Sequence, residues 1–297
     1  MDLAGYLKFL GNNFLFNIPI ILIGFILGWF MYSKIILRKI NLKDALFEKD
    51  NLAAWIEFLG AFIFPTLYLA AKAIEGPAHE DIFMDLLICI GYEVGFIVIF
   101  TILRLFSNLA IKEISPPDVE GKISLNNEIY NQKNVAASIF SATLSIISVS
   151  MIMFLDFMPE ELFASLFKIL TVVVYSLVAL MVYSIVLRSK TTLFKEIFVD
   201  NNPAAGIALG GFILAVETIL THTIEYQLEF DLIDLLVVSG IGLVVLLVMA
   251  YLMKWLFAAI LKVNIWNEVY EQNNVGAAIG QVVLYVSIAN IIVHFLK

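Results

Sequence analysis

Eight runs of mostly apolar residues follow one another along the chain, at roughly 16–37, 52–74, 82–111, 135–157, 164–187, 203–224, 231–262 and 275–295. Each is long enough for the about 20 residues that carry a helix across a bilayer. The runs are continuous and lack a two-residue alternation, which predicts spanning helices rather than barrel strands. After every odd-numbered run comes a short amphipathic link, such as 42–50 or 193–201, suited to lying along the membrane interface. Residues 1–14 place Leu3, Tyr6, Leu7 and Leu10 at helical spacing and predict one more short interfacial helix.

The four links end alike. Asn51-Leu-Ala-Ala returns as Asn134-Val-Ala-Ala, Asn202-Pro-Ala-Ala and Asn274-Val-Gly-Ala. An aromatic residue stands four places before each asparagine (Phe47, Tyr130, Phe198, Tyr270), and a carboxylate stands six before three of them (Glu128, Glu196, Glu268), with Ala45 in the first copy. Recurrence at this length marks internal duplication. Pro203 directly after Asn202 predicts the role of the asparagine: proline is favoured at the first helical position, so Asn51, Asn134, Asn202 and Asn274 are read as helix N-caps. Four such helix starts could also surround one axis and form a cytoplasmic vestibule for anions or lipid phosphates; separate caps at a water interface are the plainer alternative.

Composition supports the membrane reading. Apolar residues make up 61% and charged residues 15%, against roughly half and a quarter in soluble domains. The net charge of -8 says less than its distribution. Lys34, Arg38, Lys39, Lys43 and Lys49, then Lys112, Lys122 and Lys133, then Arg188, Lys190 and Lys195, and Lys262 all follow odd-numbered runs. The opposite loops carry Glu75, Glu80, Asp81, Asp156, Glu160, Glu161, Glu225, Glu229 and Asp231. The positive-inside rule then puts the asparagines in the cytoplasm and both termini outside. The first run is read as a retained span, since it lacks a small-residue cleavage site and a preceding basic stretch. The lone Cys89 allows no disulfide framework.

The duplication has two levels. Asp85-Leu-Leu-Ile-Cys-Ile-Gly91 aligns with Asp234-Leu-Leu-Val-Val-Ser-Gly240, and Ile114-Ser-Pro-Pro-Asp-Val-Glu-Gly-Lys122 is an insertion in the first half. The expected fold is an all-α polytopic membrane protein: eight transmembrane helices in four parallel two-helix repeats, grouped into pseudo-twofold halves at 1–158 and 159–297. Four helices per half keep the halves parallel, unlike inverted-repeat transporters.

Paired-helix repeats with an Asn-x-Ala-Ala motif before the second helix resemble the YjfL-like bacterial inner-membrane family, a domain of unknown function. The resemblance covers nearly the whole chain as two tandem copies. It implies a multi-pass protein of the bacterial inner membrane, in some members with genes for membrane-stress proteins nearby, and it implies no catalytic or binding residues.

Ionisable residues inside the membrane are costly, about 2.5 kcal/mol or more each, and usually face a cavity or a partner. Glu57 lies six residues past Asn51, Glu93 sits in the third run between Gly91 and Gly95, and Glu217 lies fifteen past Asn202 with Thr218, Thr221 and His222 nearby. The repeat does not predict them, since Gly242 is the counterpart of Glu93. One reading makes Glu57, Glu93 and Glu217 a proton or ion path with His222 as relay. The other makes each a neutral or hydrogen-bonded packing group. Gln281 and Asn290 suit interhelical hydrogen bonds, and the glycine pairs, Gly24 and Gly28 first among them, suit close helix approach.

His79, His222 and His294 have no partner at metal-ligand spacing, and no phosphate loop, His-Glu-x-x-His or Ser/His/Asp arrangement occurs. The chain is expected to be no enzyme, to need no cofactor or metal, and to bind no nucleic acid for want of a basic face. Two functions lead: an ion- or proton-conducting channel or transporter, and a non-catalytic scaffold that recruits cytoplasmic membrane-stress proteins through its interfacial links; a lipid-handling role is a third option, given the cap vestibule. Low charge and glycine-lined faces are compatible with a homodimer.

Overall fold

The computed structural model describes residues 3–75, 79–113, 122–155, 162–187, 193–225 and 232–295. The insertion at 114–121 and several of the acidic and basic loop residues, such as Asp156, Arg188 and Glu229, lie outside them. Among the described residues all regular structure is helical. The elements are α1 (Leu3–Phe30), α2 (Leu52–Phe58), α3 (Phe64–Ile74), α4 (Ile82–Glu113), α5 (Leu125–Tyr130), α6 (Val135–Met153), α7 (Leu162–Val182), α8 (Leu193–Phe198), α9 (Pro203–Glu225), α10 (Leu232–Leu261), α11 (Ile265–Tyr270) and α12 (Val275–Phe295). Eight helices are long and apolar enough to cross a membrane, and their limits follow the eight apolar runs within a few residues. This is an integral membrane protein.

Residues 3–14 differ from expectation. They form no separate interfacial helix, because α1 runs unbroken from Leu3 through Pro19 to Phe30. A single glycine such as Gly11 costs a helix only about 1 kcal/mol, too little to stop it between two apolar stretches. Real irregularities have local causes. The second span passes from α2 to α3 through the π-helical segment Leu59–Ile63, just ahead of Pro65, and the widened turn accommodates the missing N–H and the ring of that proline. Two further π-helical segments extend α1 and α7, at Met31–Ile36 and Tyr183–Leu187.

The even-numbered spans stand in a row, with α2 against α6, α6 against α9 and α9 against α12. The odd spans lie alongside: α1 packs on α3 and α4, α4 on α6, α7 on α6 and α9, and α10 on α9 and α12. Burial follows position in the row. The interior spans α6 and α9 are 67% and 72% buried, against 33% for α12 at one end. The capped helix starts therefore succeed one another along a line instead of closing around a common vestibule.

Small residues let the row pack. A Cβ on Gly206 would come 3.2 Å from the Ala136 carbonyl oxygen, and one on Gly211 would come 2.4 Å from Val282. Without a hydrophobic drive between helices in lipid, such close backbone approach is a main source of association. Along α6, Thr143, Ser145 and Ser148 return their hydroxyl protons to carbonyls four residues back, so polar residues pass through the packed layer without an unpaired donor.

Candidate functional site

The asparagine at each link's end caps the helix that follows, and the first three also hold the next link. Its Oδ1 accepts the N–H three residues on: Asn51 from Ala54 at 3.2 Å, Asn134 from Ala137 at 2.9 Å, Asn202 from Ala205 at 3.0 Å and Asn274 from Ala277 at 3.1 Å. This fills one of the four orphan donors at a helix start. The preceding residue, Asp50, Lys133, Asn201 or Asn273, is left-handed, with φ of 44°, 56°, 47° and 52°. That reversal turns the chain from the link into the span.

The asparagine's Nδ2 reaches forward to the next link in the chain. Asn51 donates to the Ile129 carbonyl at 2.9 Å, Asn134 to Ile197 at 2.9 Å and Asn202 to Val269 at 3.1 Å. The carboxylate six residues upstream takes a second amide proton: Glu128 from Asn134, Glu196 from Asn202 and Glu268 from Asn274. The first copy, with Ala45 there, uses the Tyr130 carbonyl at 3.4 Å instead. The row is thus stitched head to tail at one end of the helices. Burial pushes the Glu128 carboxyl above the ordinary glutamate value, and the Asn134 amide opposes that rise.

The aromatic four residues before each asparagine does more than mark an interface. Tyr130 and Tyr270 are buried, and their hydroxyls pair with Tyr32 at 2.8 Å and with Tyr183. Burial pushes both link phenols upward. Phe198 is buried against Phe140, whereas Phe47, at the free end of the row, is exposed.

The three acids lie on different spans in different settings. Glu57, fully buried on α2, meets Arg104 Nη2 at 2.5 Å. The same guanidinium donates to Ser141, and through Nη1 to Asn108 at 2.8 Å. Arg104 ties α2, α4 and α6 together, and sequence reasoning missed it. Its signal was available, as a lone arginine inside the third apolar run. Glu217 on α9 accepts from Ser176 at 2.7 Å and hydrogen bonds with Ser150. Glu93 on α4 is fully buried, and neither carboxyl oxygen has a hydrogen-bond partner among the described residues. It lies against α1 where Gly24 leaves room: a Cβ there would come 2.0 Å from Oε1.

His222 follows Glu217 by five residues, about 140° around the helix, so the two leave α9 from different faces. Asn290 donates to Val286 of its own helix at 2.8 Å rather than to a neighbour, and Gln281 is buried in α12. His79 accepts from the Asp81 N–H, and His294 lies beside Phe295. Among the described residues, no three of His, Cys, Asp and Glu come together as metal ligands.

A cavity of about 640 Å³ opens between α4, α6, α7 and α8. Its walls are apolar except for Ser107, Ser148, Ser176 and Ser184. Ser176 therefore links this space to the Glu217 carboxyl.

The cavity lies where two related segments of chain meet. A family model described as a Domain of Unknown Function (DUF350) matches residues 4–154 and again residues 157–296. No curated protein and no solved structure matches the chain. The chain belongs to the DUF350 family and carries two tandem copies of its domain.

Proposed function

We propose that this is a multi-pass inner-membrane protein that moves protons or a small cation, with Glu93 and Glu217 as the exchanging groups and no catalytic site. Glu93 carries the reading. An ionised carboxylate without donors in a packed apolar layer costs several kcal/mol. Glu57 has Arg104 to balance it; for Glu93 a proton or a bound cation must do that work. Glu217 is the second exchange point, because Ser176 joins it to the cavity wall.

In this reading the four helix pairs are parallel repeats grouped into pseudo-twofold halves about an axis along the membrane normal. The asparagine ends face the cytoplasm, where the lysines and arginines concentrate, and both termini face outward. Liposomes carrying the purified protein test it, with a pH-sensitive dye inside and proton, Na⁺ or K⁺ gradients imposed in turn. The parent protein should dissipate one of these gradients, and Glu93→Gln and Glu217→Gln should each slow that flux tenfold or more. No parent flux under any gradient, or full flux in both variants, would end the proposal.

A second reading draws on the exposed turns at Asp50, Asn131–Lys133, Asp200–Asn201 and Glu271–Asn273. A line of polar tips at one end of the row suits a scaffold that recruits membrane-stress proteins. Pull-down from native membranes with the tips replaced by Gly-Ser would show loss of a bound partner if this is right, and an unchanged set of captured proteins if it is wrong.

A further inference from the structure

The stitched row has two unused ends, and they match. At each internal junction the leading asparagine donates to a link carbonyl of the next unit. The residue before the following asparagine reaches back: Asn201 Oδ1 accepts from the Ala136 N–H at 3.4 Å, Asn273 Oδ1 from the Ala204 N–H at 3.3 Å, and Lys133 Nζ donates to the Lys49 carbonyl at 2.7 Å. The small residue two past each leading asparagine, Ala53, Ala136 or Ala204, is completely buried beneath the next unit.

At α12 the same positions lie open. Asn274 is exposed, and among the described residues its Nδ2 donates to its own Glu268 alone. Gly276 replaces the buried alanine and is exposed, and a Cβ on Gly280 would meet nothing within 4 Å. Ile279 and Val283 continue the face at 52% and 59% exposure.

At α2 the complementary positions are open in part: the Leu46 carbonyl already accepts from Trp55 Nε1 at 3.0 Å, while Phe47 is exposed. Leu46 and Phe47 occupy the link places whose counterparts accept from the asparagine, and Asp50 occupies the place of Asn201 and Asn273. Leu52 and Leu59, 62% and 52% exposed, lie on the side that α9 turns toward α6 through Gly206 and Gly210. Shape agrees as well. Trp55 stands where the later units carry Ser138, Gly206 and Ala278, and the α12 end offers two glycines where the earlier units carry larger residues.

We propose that a second copy of this chain docks head to tail, its α2 face on the α12 face of the first, so that the internal junction continues between molecules. Asn274 Nδ2 then donates to the partner's Phe47 carbonyl, the Asp50 carboxylate accepts from the Gly276 N–H, and Trp55, held by its bond to the Leu46 carbonyl, covers Gly276 and Gly280. Such a heterologous contact closes into a ring or extends as a chain.

Cysteine cross-linking in membranes separates this from a two-fold dimer. In a Cys89→Ser background, Asp50→Cys and Gly276→Cys are co-expressed with different tags. Oxidation should give a disulfide-linked dimer only when both are present, since the two positions meet across the junction and neither meets itself. Filling the groove with Gly280→Trp should abolish the cross-link and reduce the detergent-corrected mass to that of one chain. A dimer formed by either single variant alone would overturn the proposal. So would a monomeric mass for the parent in nanodiscs together with no cross-link in the mixture.

Discussion

Replacing Asn202 by alanine isolates what the stitch contributes. The side chain accepts from the Ala205 N–H, donates one amide proton to Glu196 at 2.8 Å, and shares the other between the Val269 carbonyl at 3.1 Å and the Tyr270 carbonyl at 3.3 Å. Losing an N-cap costs about 1 kcal/mol. An interhelical hydrogen bond within a membrane protein adds about 0.6 kcal/mol, and a buried acceptor left short of its donor adds about 1 kcal/mol or more. The sum for Asn202→Ala is about 3 kcal/mol. Asn274→Ala removes the same cap and one contact with Glu268 at an exposed site, so on the isolated chain it should cost about 1 kcal/mol. Denaturant unfolding of the monomer, diluted in mild detergent and followed by tryptophan fluorescence, measures both. Equal losses for the two variants, within about 0.5 kcal/mol, would refute the idea that the asparagine joins successive units, leaving it only a cap.

Other consequences are similarly local. Arg104→Met should destabilise by about 3–5 kcal/mol, because it leaves the Glu57 carboxylate buried and unpaired, and adding Glu57→Leu should recover much of that loss in the same unfolding assay. Gly24→Ala should cost about 1–3 kcal/mol, since its Cβ would meet the Glu93 carboxyl at 2.0 Å, and the penalty should shrink when combined with Glu93→Ala. Gly280→Ala, with nothing within 4 Å of the new methyl, should leave monomer stability unchanged or slightly raised. The raised Glu128 carboxyl implies proton uptake on folding: the stability it contributes is complete below pH of about 4.3 and is lost as pH rises through the higher folded value. Glu128→Gln should therefore flatten that part of the Tm-against-pH curve, and an unaltered curve would place the proton elsewhere.

Much of the architecture lay in the sequence because the bilayer enforces it. A span must satisfy its own backbone over about 20 apolar residues, so the run limits gave the helix limits without any knowledge of neighbours. Asn202 followed by Pro203 was readable for the same reason: a cap is a bond within four residues. The carboxylate six places upstream was visible as a pattern, although its purpose, holding the asparagine's amide, needed coordinates.

What lay beyond the sequence depends on which spans touch. Arg104 and Glu57 are 47 residues apart on different helices, and no periodicity pairs them. The Tyr32–Tyr130 and Tyr183–Tyr270 contacts likewise join different units across the membrane end. The forward reach of the first three asparagines turns four similar caps into a directed row, and only the packing order decides that the row is open rather than closed. Local bonding is written in local sequence, whereas contacts between spans are selected by the joint fit of many small surfaces. That is why the sequence by itself determined the helices, their caps and the duplication, and the tertiary structure decided which carboxyl meets an arginine and which has no hydrogen-bond partner among the described residues.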